Sequence, residues 1–335
     1  MNDRIERVVT AFLAVTVFCF WTQLAFAADT VVMNLGWETP LDSEYGILAT
    51  KFKELTEKYT NGTVEVKLRC CGQVGTEDNA FKSLQLGTVD GYIISQNNVS
   101  PSWPLMDVFV LPYIFQSDKH AAKVLNGPIG EQIRTQLNKD THVVLLTYGG
   151  VTYRDMYNSK RPINDMKDLA GLKLRVPKNA VMIATFKAFG AEPTPLAWSD
   201  TPTALQTGTI DGGDNGTAVI REMKFYEFVK YLTIIDHFVG TSPLFASDRF
   251  MKKLNPEQAK AVRRAADEAG AYQAQYQLTS TQKVRAWLVE KGGMQETHPD
   301  RKPFIAAALK VQQEVAAQRD ARFRELVKEI QQAAQ

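Results

Sequence analysis

The sequence predicts a two-lobed α/β protein, and three features carry that prediction. The phrase Leu84-Gln85-Leu86-Gly87-Thr88-Val89-Asp90-Gly91 returns as Leu205-Gln206-Thr207-Gly208-Thr209-Ile210-Asp211-Gly212, with six of eight residues identical. A β-α alternation starts at Thr30 and restarts near Arg154. A long helical stretch opens at Asn255-Pro256-Glu257 and meets no proline or double glycine before Gly292-Gly293. Solenoids repeat every 20 to 50 residues or so, roughly. Two copies about 120 residues apart fit two similar lobes instead, each delivering one loop to a shared cleft.

Met1 to Arg7 carries Arg4 and Arg7, Val8 to Trp21 is apolar, and Ala25-Phe26-Ala27 offers small residues where a signal peptidase cuts. Residues 1–27 therefore read as a cleavable signal peptide, and the expected location is the periplasm. The apolar run is short for a span, and no later stretch approaches the roughly 20 apolar residues a spanning helix needs, so no stable membrane insertion is expected.

Thr30 to Leu35 reads as a strand, Ser43 to Tyr59 as an amphipathic helix, and Thr63 to Leu68 as a strand through its alternating Val64, Val66 and Leu68. Glu77 to Leu86 is a helix closed by Gly87, since glycine takes the left-handed position after a helix without strain. Val89 to Ser95 follows as a buried strand, Leu111 to Phe115 as a turn onto a helix from about Lys119, and His142 to Tyr148 as a strand. Such alternation suits a mainly parallel sheet covered on both faces. The restart comprises Arg154 to Tyr157, Leu172 to Val176, a helix from Ala180 to Phe189 closed by Gly190, a helix around Thr203 to Gln206 and a strand at Ile210.

An Asn cap followed by Pro starts the long helix. Some 35 residues at 1.5 Å each reach roughly 50 Å, enough to run across both lobes, with Gly270 as its weak point. A last amphipathic helix, about Pro303 to Gln332, shows charged and alanine-rich faces that read as solvent-exposed. Lobe I is expected to comprise residues 28–151 plus about 241–280, and lobe II residues 152–240 plus about 281–335.

Composition narrows the function. With 44% hydrophobic and 23% charged residues the chain is ordinary for a globular protein, and its net charge of +2 argues against nucleic-acid binding. Of three cysteines, Cys19 lies in the signal peptide and Cys70 and Cys71 are adjacent, which gives no disulfide framework. The four histidines are scattered without metal-ligand spacing, and neither a metal nor a cofactor is expected. Gly-x-Ser-x-Gly, Gly-x-x-x-x-Gly-Lys, Gly-x-Gly-x-x-Gly and His-Glu-x-x-His are all absent, which points away from an enzyme. What stands out is Arg175 near the end of the apolar strand Leu172-Lys173-Leu174-Arg175-Val176-Pro177. Ligands of open α/β sheets bind at that carboxyl edge.

These residues, followed by Phe186-Lys187-Ala188-Phe189-Gly190-Ala191, Pro193-Thr194-Pro195-Leu196 and Ala204 to Gly212, resemble the substrate-binding proteins of TRAP transporters, DctP type. The resemblance covers essentially the whole chain after residue 27, including Phe52-Lys53-Glu54, the Gly75 loop and Leu111-Pro112-Tyr113. It implies a two-lobed periplasmic binding protein fold that captures a small carboxylate ligand and delivers it to small and large membrane permease subunits.

The resemblance also implies a site. Arg175 would hold the ligand carboxylate as a bidentate pair, a role that suits a planar guanidinium that stays charged. Arg154 resembles a second cleft arginine, with Asp155 beside it offering an ion pair as the competing reading. Asn215 would donate to the carboxylate, and Trp198 stands where the family has an aromatic wall. From lobe I, the loops holding Trp37 and Glu38, Asp78, and Gln96 with Asn97 would contact the rest of the ligand. The better-known sialic acid binders carry an acid near the place of Gln96 and an asparagine near that of Glu38, so these residues point elsewhere. Lobe I offers acids and amides but no cation, which favours a monocarboxylate bearing hydroxyl or keto oxygens over a dicarboxylate. A sensory ligand-binding subunit and a periplasmic enzyme acting on an organic acid stay open as alternatives.

Overall fold

A computed structural model describes residues 30–334; the expected signal peptide lies outside the described residues. The strands are β1 (Val31–Gly36), β2 (Val64–Arg69), β3 (Gly91–Ile93), β4 (Val143–Thr147), β5 (Val151–Asn158), β6 (Lys173–Val176), β7 (Glu192–Pro195), β8 (Gly212–Gly216), β9 (Tyr231–Thr241), β10 (Leu244–Ser247) and β11 (Gln295–Thr297). They form two sheets, in the orders β2-β1-β3-β10-β4 and β11-β9-β5-β8-β6-β7. Parallel pairing holds within β1, β2 and β3 and within β6, β7 and β8. The expected parallel character is broken where the chain changes lobes: β10 is antiparallel to β3 and β4, and β5 is antiparallel to β8 and β9.

The repeated phrase builds the centre of each sheet. In the first copy helix Glu77–Leu86 ends at Gly87, φ +66°, and Asp90 leads into β3; in the second, helix Thr201–Gln206 is followed by Gly208, φ +69°, and Asp211 leads into β8. Each aspartate does the same work. Asp90 Oδ2 accepts the Asn34 backbone N–H of β1 at 3.1 Å, and Asp211 Oδ2 accepts the Lys173 backbone N–H of β6 at 2.9 Å. The carboxylate thus pins the incoming strand to its parallel neighbour, where an unpaired backbone donor would otherwise be costly.

Two short crossovers join the lobes. The chain passes from β4 to β5 through Gly149 and Gly150, and from β9 to β10 through Ser242 and Pro243. Gly149 sits at φ +68° and a Cβ there would lie 2.6 Å from Ser242 O, so that position demands glycine, while a Cβ on Gly150 would displace the Gln277 amide, 1.8 Å away.

Helix Pro256–Glu290 has 35 residues and starts with a reciprocal Asn255–Gln258 capping box. Its first half buries Val262, Ala265, Ala266 and Ala269 and packs on helix Glu44–Tyr59 of the first lobe. Its second half sends Val284 and Leu288 into the core of the second lobe. Gly270 does not interrupt it. A Cβ there would come within 2.3 Å of Thr147 Oγ1, so the glycine lets helix and β4 approach closely.

The chain's end differs from expectation in two ways. The single terminal helix is two, Lys302–Ala317 and Ala321–Gln332, broken before Asp320, whose carboxylate caps the second by accepting from Phe323 N at 2.8 Å. Phe323, Leu326, Val327 and Ile330 occupy i, i+3, i+4 and i+7 and are buried rather than solvent-facing. They seat this helix on the first lobe, where Ile330 O contacts His120 Nε2 at 2.7 Å and helix Pro128–Thr141 lies alongside. Only the preceding helix packs on the second lobe, with Phe304 edge-on to Phe189 at 5.2 Å. The expected assignment of everything beyond about 281 to lobe II is corrected accordingly.

Candidate ligand-binding cleft

The second lobe supplies a cationic wall. Arg175, on β6, is 3% exposed, donates from Nε to Leu196 O at 3.0 Å and lies over the Trp198 ring at 5.5 Å. No carboxylate pairs with it among the described residues, and burial lowers its pKa from the usual value. Arg154, on β5, is different. Its Nε donates to Asp214 Oδ2 at 2.6 Å and its Nη2 to Asp214 O, so β8 neutralises it. Burial works against the Asp214 carboxylate, yet Arg154 and His237 hold its pKa well below the usual range. The neighbouring Asp155 is not Arg154's partner because successive strand residues face opposite sides. It reaches Arg285 of the long helix at 2.9 Å instead.

Asn215, next along β8, accepts the Tyr157 hydroxyl on Oδ1 at 3.0 Å. That fixes the amide and leaves Nδ2 as a donor for the cleft. Trp198 lines the same cavity while its other side packs on Phe225 at 5.7 Å, so it serves as wall and core together.

Across the cavity stands the first lobe. Asn97 lines it, held by Ser95 Oγ and the Asn98 side chain at 3.0 Å each. Four other expected residues do not line it. Trp37 is fully buried and donates from Nε1 to Pro40 O at 3.3 Å. Gln96 is consumed at both ends, donating to Val239 O at 2.6 Å and accepting from Thr241 N and Oγ1 at 2.9 and 2.6 Å, which ties the first lobe to the crossover strand β9. Asp78 sits at the rim and pairs with Lys178 of the opposite lobe at 2.9 Å. Glu38 is half-buried beside Glu77, whose backbone N–H it accepts, and its pKa is raised by burial.

The residue missed was Glu77, one position before Asp78. It opens helix Glu77–Leu86, is 6% exposed, lines the cavity and accepts the Ser95 backbone N–H; burial pushes its pKa up to about 7. Its signal was available, because of two acids in a first turn only one faces inward and the apolar stripe through Ala80, Phe81 and Leu84 marks that face. Thr39, Glu44, Tyr45, Glu222, Thr152 and Ser242 also line the cavity. Glu44 and Glu222 are also pushed up by burial, to about 7 and about 8. One wall thus presents an unneutralised guanidinium with an amide donor, and the other presents carboxyls, hydroxyls and amides. That arrangement can hold an anion at one end and hydroxyl groups at the other.

The family model described as bacterial extracellular solute-binding protein, family 7, DctP, matches residues 35–319. The 2,3-diketo-L-gulonate-binding periplasmic protein of Escherichia coli is 30% identical over 90% of this chain and 91% of its own length. Among solved structures, a TRAP periplasmic solute-binding protein from a Polaromonas species, bound to D-erythronate, superposes with a TM-score of 0.85 at 30% identity, covering 90% of this chain and 98% of that one. A Roseobacter denitrificans relative with bound L-galactonate gives 0.82 at 31% identity over 89% and 98%. The sugar acid binding protein of Advenella mimigardefordensis with galactonate gives 0.87 at 26% over 91% and 98%. With this match spanning nearly the whole described chain, the protein belongs to the DctP family of TRAP periplasmic solute-binding proteins.

Proposed function

We propose that this protein is exported, captures a hydroxylated monocarboxylate of the aldonate or uronate type between its lobes, and hands it unchanged to a TRAP membrane permease. The observation that carries the reading is Arg175, a guanidinium 3% exposed that lines the cleft with no carboxylate partner among the described residues. A buried charge without a counter-ion is costly, and a ligand carboxylate is the missing partner. Asn215 Nδ2 donates to the same carboxylate, and Trp198 packs against the carbon chain. Glu77, Asn97 and Thr39 suit hydroxyls, since carboxylates accept from them and amides both accept and donate. The diketogulonate, erythronate and galactonate of the relatives are all acids of this class. The test is mass spectrometry of whatever denaturation releases from protein purified without refolding. A polyhydroxy or keto acid recovered unchanged supports the reading; a dicarboxylate, or conversion of the bound acid to a product, overturns it.

A further inference from the structure

Three elements from both lobes meet at Glu44, on the cavity wall. It is the first residue of helix Glu44–Tyr59, and its backbone N–H donates to Glu222 Oε1, from the second lobe's helix Thr217–Glu222, at 3.0 Å. Gln277 of the long helix donates from Nε2 to Glu44 Oε2 at 3.0 Å, and Gln273, one turn earlier, donates to Glu44 O at 2.7 Å. Glu44 is 5% and Gln277 2% exposed.

Two buried oxygens in this cluster have no partner: Glu44 Oε1 and Gln277 Oε1. They belong to the two side chains already joined by the Nε2–Oε2 bond. Both are acceptors if Glu44 is ionised, and among the described residues no donor reaches either. A single proton resolves both orphans. Placed on Glu44 Oε1, it makes that group a hydroxyl donor to the amide oxygen and completes a two-point acid–amide pair. A cation would need more ligands than these two oxygens offer.

We propose that Glu44 carries a proton on Oε1 and donates it to Gln277 Oε1, so that the closed cleft holds one proton alongside its organic-acid ligand. Burial raises Glu222 even further than Glu44, but Glu222 Oε1 already accepts the Glu44 N–H and the orphaned oxygens belong to Glu44 and Gln277, so the geometry places the pair's proton on Glu44 and leaves Glu222 as the anion, favourable at a helix N-terminus. Glu222 thereby latches the second lobe to the first. Ionising Glu44 places two carboxylates at the latch and orphans two buried oxygens. The other charged or titratable groups around it are Arg221 beside Glu222, Asp42 on the preceding loop and Tyr45; Arg221 opposes the repulsion and Asp42 adds to it. Burial, the dominant influence on Glu44, acts in the same direction as the geometry. Opening the lobes withdraws Glu222 and hydrates Glu44, which releases the proton.

The inference concerns the same cleft and its ligand-linked part rests on the proposed function, so two readouts are needed. Carboxyl-carbon NMR of glutamate-labelled, D-galactonate-saturated protein, with Glu44 assigned through Glu44→Gln, is expected to show Glu44 titrating near or above pH 7, against the ordinary glutamate range in ligand-free protein; an ordinary midpoint in the saturated protein overturns the proposal. Calorimetry with D-galactonate in two buffers of different ionisation heat at pH 6.5 is expected to show uptake of roughly half a proton or more. Glu44→Gln, whose amide reproduces the two-point pair, should abolish the uptake whatever its effect on affinity. Binding heats that are buffer-independent, or uptake undiminished in Glu44→Gln, overturn the proposal. Absence of any galactonate heat counts against the ligand class, and the Glu44 midpoint is then read on protein still carrying the acid it was purified with.

Discussion

Arg175 and Arg154 are the same residue type on neighbouring parts of one sheet, yet the site uses them differently because Asp214 neutralises only Arg154. Truncating one partner of a buried charge pair typically costs about 3 to 5 kcal/mol, and a ligand bound by Arg175→Ala should weaken by two to nearly four decades. Arg175→Lys should be almost as poor, since lysine loses the fork that a carboxylate needs. Calorimetry on folded variants decides it: a loss below tenfold would remove Arg175 from the site. Trp198 makes the second test. Its ring lies on the cavity wall, so ligand binding should change tryptophan fluorescence and Trp198→Phe should remove most of that change; an unaltered signal assigns it to the core alone. Glu77 gives a pH signature. Its folded pKa, about 7, stands above the ordinary 4.5, so between these values the folded protein binds the proton more tightly than the unfolded chain. Its stabilising contribution is complete below pH 4.5 and is lost as pH rises through 7. About 2.5 pK units correspond to about 3 kcal/mol at most. Denaturation midpoints of Glu77→Gln should therefore gain on the wild type between pH 5 and pH 8, and parallel profiles would contradict the assignment.

The elements show which information the chain carries locally. Helix starts at Ser43, Asn179 and Asn255 were legible because each cap and the backbone N–H that donates to it lie within three residues. The repeat was legible because a glycine in the left-handed region and an aspartate that pins a parallel strand are both short-range devices. Gln96 was not, since its partners Val239 and Thr241 lie more than 140 residues away and only the folded crossover brings them near. The terminal helices failed for a related reason: alanine-rich faces look exposed until Phe323 and Leu326 are seen to have a neighbour to cover. Gly270 looked like a defect for the same cause, and its contact with Thr147 supplies a test. In an open helix Gly→Ala gains up to about 1 kcal/mol, whereas overpacking costs about 1 to 3. Gly270→Ala should therefore destabilise by on the order of 1 kcal/mol, and in a Thr147→Ala background, where Oγ1 is gone, the same change should stabilise. Urea unfolding of the four proteins reads the coupling; additive effects would mean that the helix does not press on β4.

At the scale of the whole molecule, contacts between lobes and the ligand share one task. Lys178 reaches Asp78 across the rim, and Glu222 reaches the N-terminus of helix Glu44–Tyr59 beside the cavity. The rim pair is solvent-exposed and contributes little, about 0 to 1 kcal/mol. Closure through the crossovers at Gly149-Gly150 and Ser242-Pro243 therefore depends on a ligand that touches both walls at once, because only differential contact shifts such an equilibrium. The chemistry of the two walls then selects the ligand. A carboxylate fits beside Arg175 and Asn215, but a second one at the far end would face Glu77, and among the described residues the first lobe's lining offers no cation to receive it. Like charges in a buried site repel, and the cost falls on the ligand's affinity. Hydroxyls placed there donate to Glu77 and exchange hydrogen bonds with Asn97 and Thr39. Galactonate, glucuronate and erythronate should raise the melting temperature, and succinate and malate should not. The discrimination should weaken in Glu77→Gln, where the repelling charge is absent. A thermal-shift screen in which dicarboxylates stabilise the protein and the sugar acids leave it unmoved would show that the first lobe's wall carries the opposite sign.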